Sequence, residues 1–245
     1  LADKVQQSYR MTDMHGVLLY SGRNAEAIRL KECQIGLDVE RKVAADVGVD
    51  LLNYANSLSD EGRLARALRA RELARDLSDA ANDDHGKAMS QLKLLESYKD
   101  AGAWAEGERA YQAFTAKPPS RQRAFWLAEA ERYYAEMQFY QSGDAVAALE
   151  RAWALCVKGR NTLGQLILHG LRGEVALRAG DAARAVGHFQ DSFTMLQKSG
   201  MGGRDVLEVR GGLARAYALL GRADEARWMI AEGVDDLAAA EAYLT

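Results

Sequence analysis

YSGRNAEAI, residues 20–28, reads as the end of one helix, a glycine, and the start of the next. DEGRLARAL at 60–68 and DAGAWAEGE at 100–108 carry the same punctuation forty residues apart each time. Extending the register gives Gly22, Gly62, Gly102, Gly143, Gly180 and Gly221, at intervals of 40, 40, 41, 37 and 41. Five positions after each stands a very small residue: Ala27, Ala67, Gly107, Ala148, Ala185 and Ala226. Glycine takes the left-handed conformation that closes a helix without a Cβ clash, so each one predicts a reversal into an antiparallel helix. The small residue falls where two helices approach, and a bulkier side chain there would push them apart.

The flanking segments carry helical periodicity. LLNYANSL places Leu51, Tyr54, Ala55 and Leu58 at i, i+3, i+4 and i+7. LARALRARELARDL puts Leu64, Ala67, Leu68 and Leu73 on an expected stripe. Near the end, Val209, Leu213, Ala214 and Tyr217 precede Gly221, and Ala226, Met229 and Ile230 follow it. No segment alternates polar and apolar residues as a half-buried strand would. The expectation is an all-α chain of six helical hairpins, near 8–45, 46–86, 87–120, 121–160, 161–203 and 204–245, forming one domain over 1–245. The two prolines, Pro118 and Pro119, sit in KPPSRQR, a loop between the third and fourth hairpins. GMGGRD at 200–205 follows no strand and reads as the link before the sixth hairpin, with Asp205 capping its first helix. Gly211 and Gly212 fall inside a helix, where each costs about 1 kcal/mol against alanine. Either a close approach or simple tolerance explains them. VDDLAAAEAYLT after Gly233 reads as one more helix packed on the sixth hairpin.

Composition narrows the function classes. The net charge is −3, which does not suit an electrostatic nucleic-acid binder. No apolar run reaches the roughly 18 residues of a membrane span. Cys33 and Cys156 lie far apart among apolar neighbours and read as buried thiols of a reducing, cytoplasmic setting. The chain begins at Leu1 without a signal-peptide pattern, which reads as a fragment of a larger protein. His15, His85, His169 and His188 are scattered, and no metalloprotease, paired-cysteine or acidic metal-loop spacing occurs. His169 and His188 flank the Gly180 turn on paired helices and can come near one another, but the spacing offers no further ligand. Neither a catalytic residue, a metal nor a cofactor is expected.

These residues resemble the tetratricopeptide repeat (TPR) family. Leu213, Ala214, Tyr217, Gly221, Ala226 and Ile230 match its pattern well, as do Tyr54, Ala55, Leu58, Gly62 and Ala67. Gly173, Ala176, Gly180, Ala185 and Phe189 match in part. Leu95, His15 and Glu136 stand where the pattern has a small residue. The period exceeds the usual thirty-four and is similar to long repeats in bacterial regulators, signalling proteins and kinesin light chains. The resemblance implies a right-handed superhelical α-solenoid whose first helices line a concave face. On that face it places Asn53, Asn56, Met89, Lys93 and Glu96, then Tyr133, Tyr134, Met137 and Tyr140, then Leu171, Glu174, Arg178 and Arg215. A carboxylate clamp of the chaperone-binding type would need a cation where Leu52 and Tyr134 stand. The Tyr and Met cluster is the expected hot spot for a bound peptide or helix. The implied function is a non-catalytic protein or peptide interaction module, the sensory or regulatory region of a larger bacterial regulator. The alternatives are a spacer or homodimerisation arm acting through the terminal helices and, below these, a small-molecule receptor or enzyme. Direct nucleic-acid or membrane binding is not implied.

Overall fold

The computed structural model describes residues 2–20, 23–118, 123–199 and 204–244. All regular structure among them is helical: α1 (Ala2–Tyr20), α2 (Asn24–Glu40), α3 (Ala44–Asp60), α4 (Leu64–Ala80), α5 (Asp84–Asp100), α6 (Trp104–Ala116), α7 (Arg123–Ser142), α8 (Val146–Lys158), α9 (Thr162–Arg178), α10 (Ala182–Ser199), α11 (Arg204–Leu219) and α12 (Ala223–Leu244). The chain divides into two compact units, Leu1–Arg123 and Ala124–Thr245, at the end of the KPPSRQR segment.

Two kinds of turn join the helices. Inside hairpins the left-handed residue is glycine: Gly62, Gly102, Gly143, Gly180 and Gly221 have φ between 66° and 79°. Between hairpins, side-chain-bearing residues take that conformation: Lys42, Asn82 and Arg160, with φ of 58°, 51° and 52°. The closing bonds are the same in both kinds. At Gly62, its amide donates to Ser59 and the Arg63 amide to Leu58; at Lys42, its amide donates to Val39 and the Val43 amide to Asp38. These are the paired C-terminal bonds that satisfy the last helix carbonyls. Gly22 and the loop at 200–203 lie outside the described residues. α11 starts at Arg204, so Asp205 is inside its first turn rather than preceding it.

The residue five past each turn is buried wherever it was expected, from Ala27 and Ala185 at 0% exposure to Ala226 at 7%. In unit 1, an apolar core joins α2, α3 and α4 through Ile28, Leu51, Tyr54, Ala55, Leu58, Ala67 and Ala74. In unit 2, one core joins α7, α8 and α9 around Phe139, Leu149 and Leu168. A second joins α9 to α12 around Phe189, Leu213 and Tyr217. First helices of successive hairpins also touch, α3 with α5 and α9 with α11.

The structure corrects several stripe assignments. α4 buries Ala67, Ala70, Arg71, Ala74 and Ser78, while Leu73 is exposed. Six residues past Ala67 is about 240° around a helix, so Leu73 points away from Ala67's face. Ile230 is likewise exposed one step past the buried Met229. Cys33 is exposed, and only Cys156 is buried. There is no separate helix after Gly233, because α12 runs unbroken from Ala223 to Leu244. Gly233 is tolerated inside it against α11, its Cβ position lying 3.5 Å from Leu207 and 3.8 Å from Arg210.

Phe189 on α10 explains two of the mid-helix glycines. Its ring, 2% exposed, lies 2.7 Å from a Cβ position on Gly173 of α9 and 2.5 Å from one on Gly212 of α11. Gly212 is therefore a close approach between helices. Its neighbour Gly211 faces open space, where a side chain would meet nothing.

Candidate functional site

In unit 1 the sequence candidates Asn56 and Lys93 meet in one network, organised by a residue that sequence reading missed. Arg71 reaches inward from α4 and is 2% exposed. Its Nη2 donates to Asn56 Oδ1 of α3 at 3.0 Å and to Glu96 Oε2 of α5 at 3.4 Å, and its Nη1 donates to Ser97 Oγ. Lys93 Nζ donates to the same Glu96 oxygen at 2.8 Å. Burial works against the Glu96 carboxylate, but Lys93 and Arg71 outweigh it and hold its pKa below the ordinary range. Asn56 therefore serves the fold with its carbonyl oxygen, and Lys93 is paired. Asn53, one turn earlier on α3, is half-buried. Met89 packs on the apolar core.

A second polar layer lies between α1, α2 and α3. Lys31, fully buried, donates to Gln34 Oε1 at 2.7 Å and to Asp50 Oδ1 at 3.1 Å. Gln34 Nε2 donates to Thr12 Oγ1 at 2.8 Å and to Ser8 Oγ at 3.2 Å, and Ser8 Oγ donates to Asp38 Oδ2 at 3.0 Å. Asp38, also fully buried, pairs with Arg41. His15, at the position where the repeat pattern wants a small residue, is 3.0 Å from Ser57 Oγ. Burial, with help from Lys31, pushes its pKa down to about 4. Burial first, and a hydrogen bond with Asp38 second, push Asp50 up to about 6 against the pull of Lys31. Lys31, Asp38 and Asp50 sit amid ordinary surface-type sequence, which is why no pattern marked them.

In unit 2 the aromatic cluster is split by burial. Tyr133 and Met137 are 6% and 1% exposed, so they are packing residues, as is Leu171. Tyr134 is half-buried against the core of α7, α8 and α9. Tyr140 alone of the expected stripe is open, at 58% exposure, its ring edge-on to Phe139 at 5.3 Å. Arg132 lies 4.0 Å over the Tyr133 ring and bonds Glu129 at 2.8 Å and Glu136 at 2.5 Å. Glu136 thus fills a small-residue position with an ion pair. Arg178 lies 4.0 Å over the Phe139 ring and its Nη1 donates to the Phe139 carbonyl at 2.7 Å, tying α9 to the end of α7. Glu174 of α9 pairs with Arg215 of α11.

His169 on α9 does approach His188 on α10, with ring centroids 5.9 Å apart. Asp191 joins them, its Oδ2 3.7 Å from His169 Nδ1. Burial lowers the pKa of both histidines, with Arg172 adding to the effect. The Trp153 ring meets His169 edge-on at 4.8 Å. Cys156 is buried, and burial with the Glu129 charge pushes its thiol up to about 11.

No protein-family model matches the sequence, and no curated protein does. Solved structures do match the fold. RapI in its apo form superposes with a TM-score of 0.69 at 14% identity, over 94% of this chain and 83% of that one. The apo quorum sensor NprR from B. thuringiensis gives 0.61 at 12% identity, over 97% and 68%. A signal-transduction ATPase with a tetratricopeptide repeat sensor, from Pyrococcus horikoshii, gives 0.66 at 13% identity. This chain covers 96% of its own length in that match and spans about a third (34%) of the ATPase. With the recurring turns, the buried small residues and the paired helices, these likenesses establish the fold: successive antiparallel helical hairpins, arranged as in tetratricopeptide-repeat structures.

Proposed function

We propose that this chain is a non-catalytic interaction module, the sensory or regulatory region of a larger regulator, which holds a protein or peptide on the face made by its first helices. The observation that supports this most is the direct contact of first helices within each unit, α3 with α5 and α9 with α11. Within each unit their outward residues then form a strip rather than isolated ridges. The strip of unit 1 offers Asn53 and the Lys93–Glu96 pair; that of unit 2 offers Arg178 and the Glu174–Arg215 pair, with Tyr140 at the end of α7 that Arg178 ties to α9. Quorum sensing is named for one fold neighbour and a sensor role for another, which agrees with this reading. Tyr133 and Met137 support the strip from beneath. The test is capture of partners with the wild-type chain beside Asn53→Ala and Tyr140→Ala variants of unchanged helicity. Loss of one partner in either variant supports the strip as the binding face. Equal recovery by all three proteins refutes it.

A second reading, self-association through the terminal hairpins, is favoured by exposed apolar side chains there. Tyr9, Met14 and Val17 on α1 are 70%, 56% and 66% exposed, and Trp228, Ile230 and Val234 on α12 are 52%, 58% and 57%. Sedimentation of the wild type beside Trp228→Glu and Met14→Glu separates the two readings. A dimer dissolved by either change favours self-association, and a monomer at all concentrations excludes it.

A further inference from the structure

We propose that His169, His188 and Asp191 form a binding site for a divalent transition-metal ion of the zinc or nickel kind. His188 and Asp191 are three residues apart on α10 and so share one face of it. His169 reaches them from α9, and the donor atoms of all three lie within 4.8 Å of one another. Four-coordinate zinc holds its ligands about 2.0–2.2 Å away, which sets them roughly 3.3 Å apart. The 3.7 Å between His169 Nδ1 and Asp191 Oδ2 is already close to that. Side-chain rotation alone can bring in His188, with both helices left in place.

A second observation points the same way. His169 Nδ1 is buried and has no hydrogen-bond partner. A buried polar nitrogen left unbonded is uncommon and costly. A metal ion at the centre of the three donors gives it a partner. Two imidazoles with one carboxylate suit zinc, nickel or cobalt, whereas magnesium and calcium prefer oxygen ligands. Asp191 is 64% exposed, so the ion has a route from solvent. Arg172 and Arg184 both place positive charge near His188; the Nη2 of Arg172 is paired with Glu150 at 2.8 Å and its guanidinium lies 4.3 Å over the Trp153 ring. The field of Arg172 at the site is therefore reduced. Three protein ligands leave one tetrahedral position for water or for a donor from outside. The bound ion cross-links α9 to α10 across the Gly180 turn.

The test uses the tag-free full chain, stripped with a chelator. Zn2+ is titrated calorimetrically, and Ni2+ is followed by quenching of Trp153 emission, since that indole touches His169. One ion per chain is expected, with micromolar affinity. His188→Gln and Asp191→Asn are each expected to weaken binding about tenfold or more without changing helical circular dichroism. Trp153→Phe is expected to abolish the quenching and leave the calorimetric binding. No binding by the wild type overturns the site, as does binding that persists undiminished in a His169→Gln/His188→Gln double variant. If His188→Gln fails to fold, Asp191→Asn at its exposed position carries the comparison alone.

Discussion

The Phe189 ring occupies the space that a side chain on Gly212 would need. The distance from ring to would-be Cβ is 2.5 Å, and Gly173 of α9 faces the same ring at 2.7 Å. The sixth hairpin seats on the fifth through this interdigitation. Gly212→Ala gains about 1 kcal/mol of helix propensity. It loses more by forcing a ring that is 2% exposed out of its rotamer, an overpacking cost of about 1–3 kcal/mol. Net destabilisation is the expected result, read as a lower urea midpoint. Gly211→Ala, which meets nothing, is expected to stabilise slightly. Adding Phe189→Leu to Gly212→Ala is expected to recover part of the loss, since both changes act on one contact.

His15 and Asp50 give opposite slopes of stability against pH. His15 stays neutral in the fold down to about 4, whereas the unfolded chain takes a proton near 6.5. Its contribution is therefore whole above pH 6.5 and is lost as the pH falls toward 4. Asp50 is the reverse: held up at about 6 in the fold against 3.8 unfolded, it favours the folded state as the pH drops through that window. His15→Gln is expected to leave a protein whose urea midpoint rises from pH 6.5 to 4, compared with the wild type. Asp50→Asn is expected to make the midpoint fall more steeply over the same range. Parallel pH profiles for all three proteins would contradict this assignment.

Arg71 is the centre of the α3–α4–α5 junction. Arg71→Met removes the shared donor of Asn56, Ser97 and Glu96. Removing one partner of a buried charged network costs on the order of 3–5 kcal/mol. Arg71→Lys keeps the charge but loses the planar fork, so its cost should lie between Met and wild type. Equilibrium unfolding of the three proteins orders them.

The two thiols differ in reactivity. Cys33 is exposed and Cys156 is buried with its pKa at about 11. The thiolate is the reactive form. At pH 7.5 (about physiological), a thiol reagent is expected to modify Cys33 quickly and Cys156 only on unfolding. Mass spectrometry of Cys33→Ser and Cys156→Ser variants distinguishes them.

The repeat was legible because its markers are tied to residue type. A left-handed turn inside a hairpin selects glycine, and the crossing five residues later selects alanine or glycine. Between hairpins, Lys42, Asn82 and Arg160 take the same backbone conformation with no residue in common, so this second punctuation left no letter to read. The α11 stripe was correct because Val209, Leu213, Ala214 and Tyr217 are apolar and buried together. α4 was misread because its buried stripe is alanine, serine and an arginine. Asn56 and Lys93 share one network, but their link is Arg71, whose inward orientation depends on partners on two other helices. The same holds at His169 and His188: their approach was visible from the turn, whereas Asp191 entered only through the phase of α10.

The polar layer between α1, α2 and α3 bears on how a chain of look-alike hairpins assembles correctly. An interface of alanine and leucine accepts almost any other of its kind, and neighbouring hairpins share most of their sequence logic. The Lys31 ammonium and the Asp38 carboxylate do not: both are fully buried, and among the described residues Asp50, Gln34, Ser8 and Arg41 are placed to answer them. Seating α2 against any other hairpin would strand an ion away from water at a cost of several kcal/mol. The first junction therefore works as a key: it accepts α2 in one seat between α1 and α3, where an apolar interface would accept several.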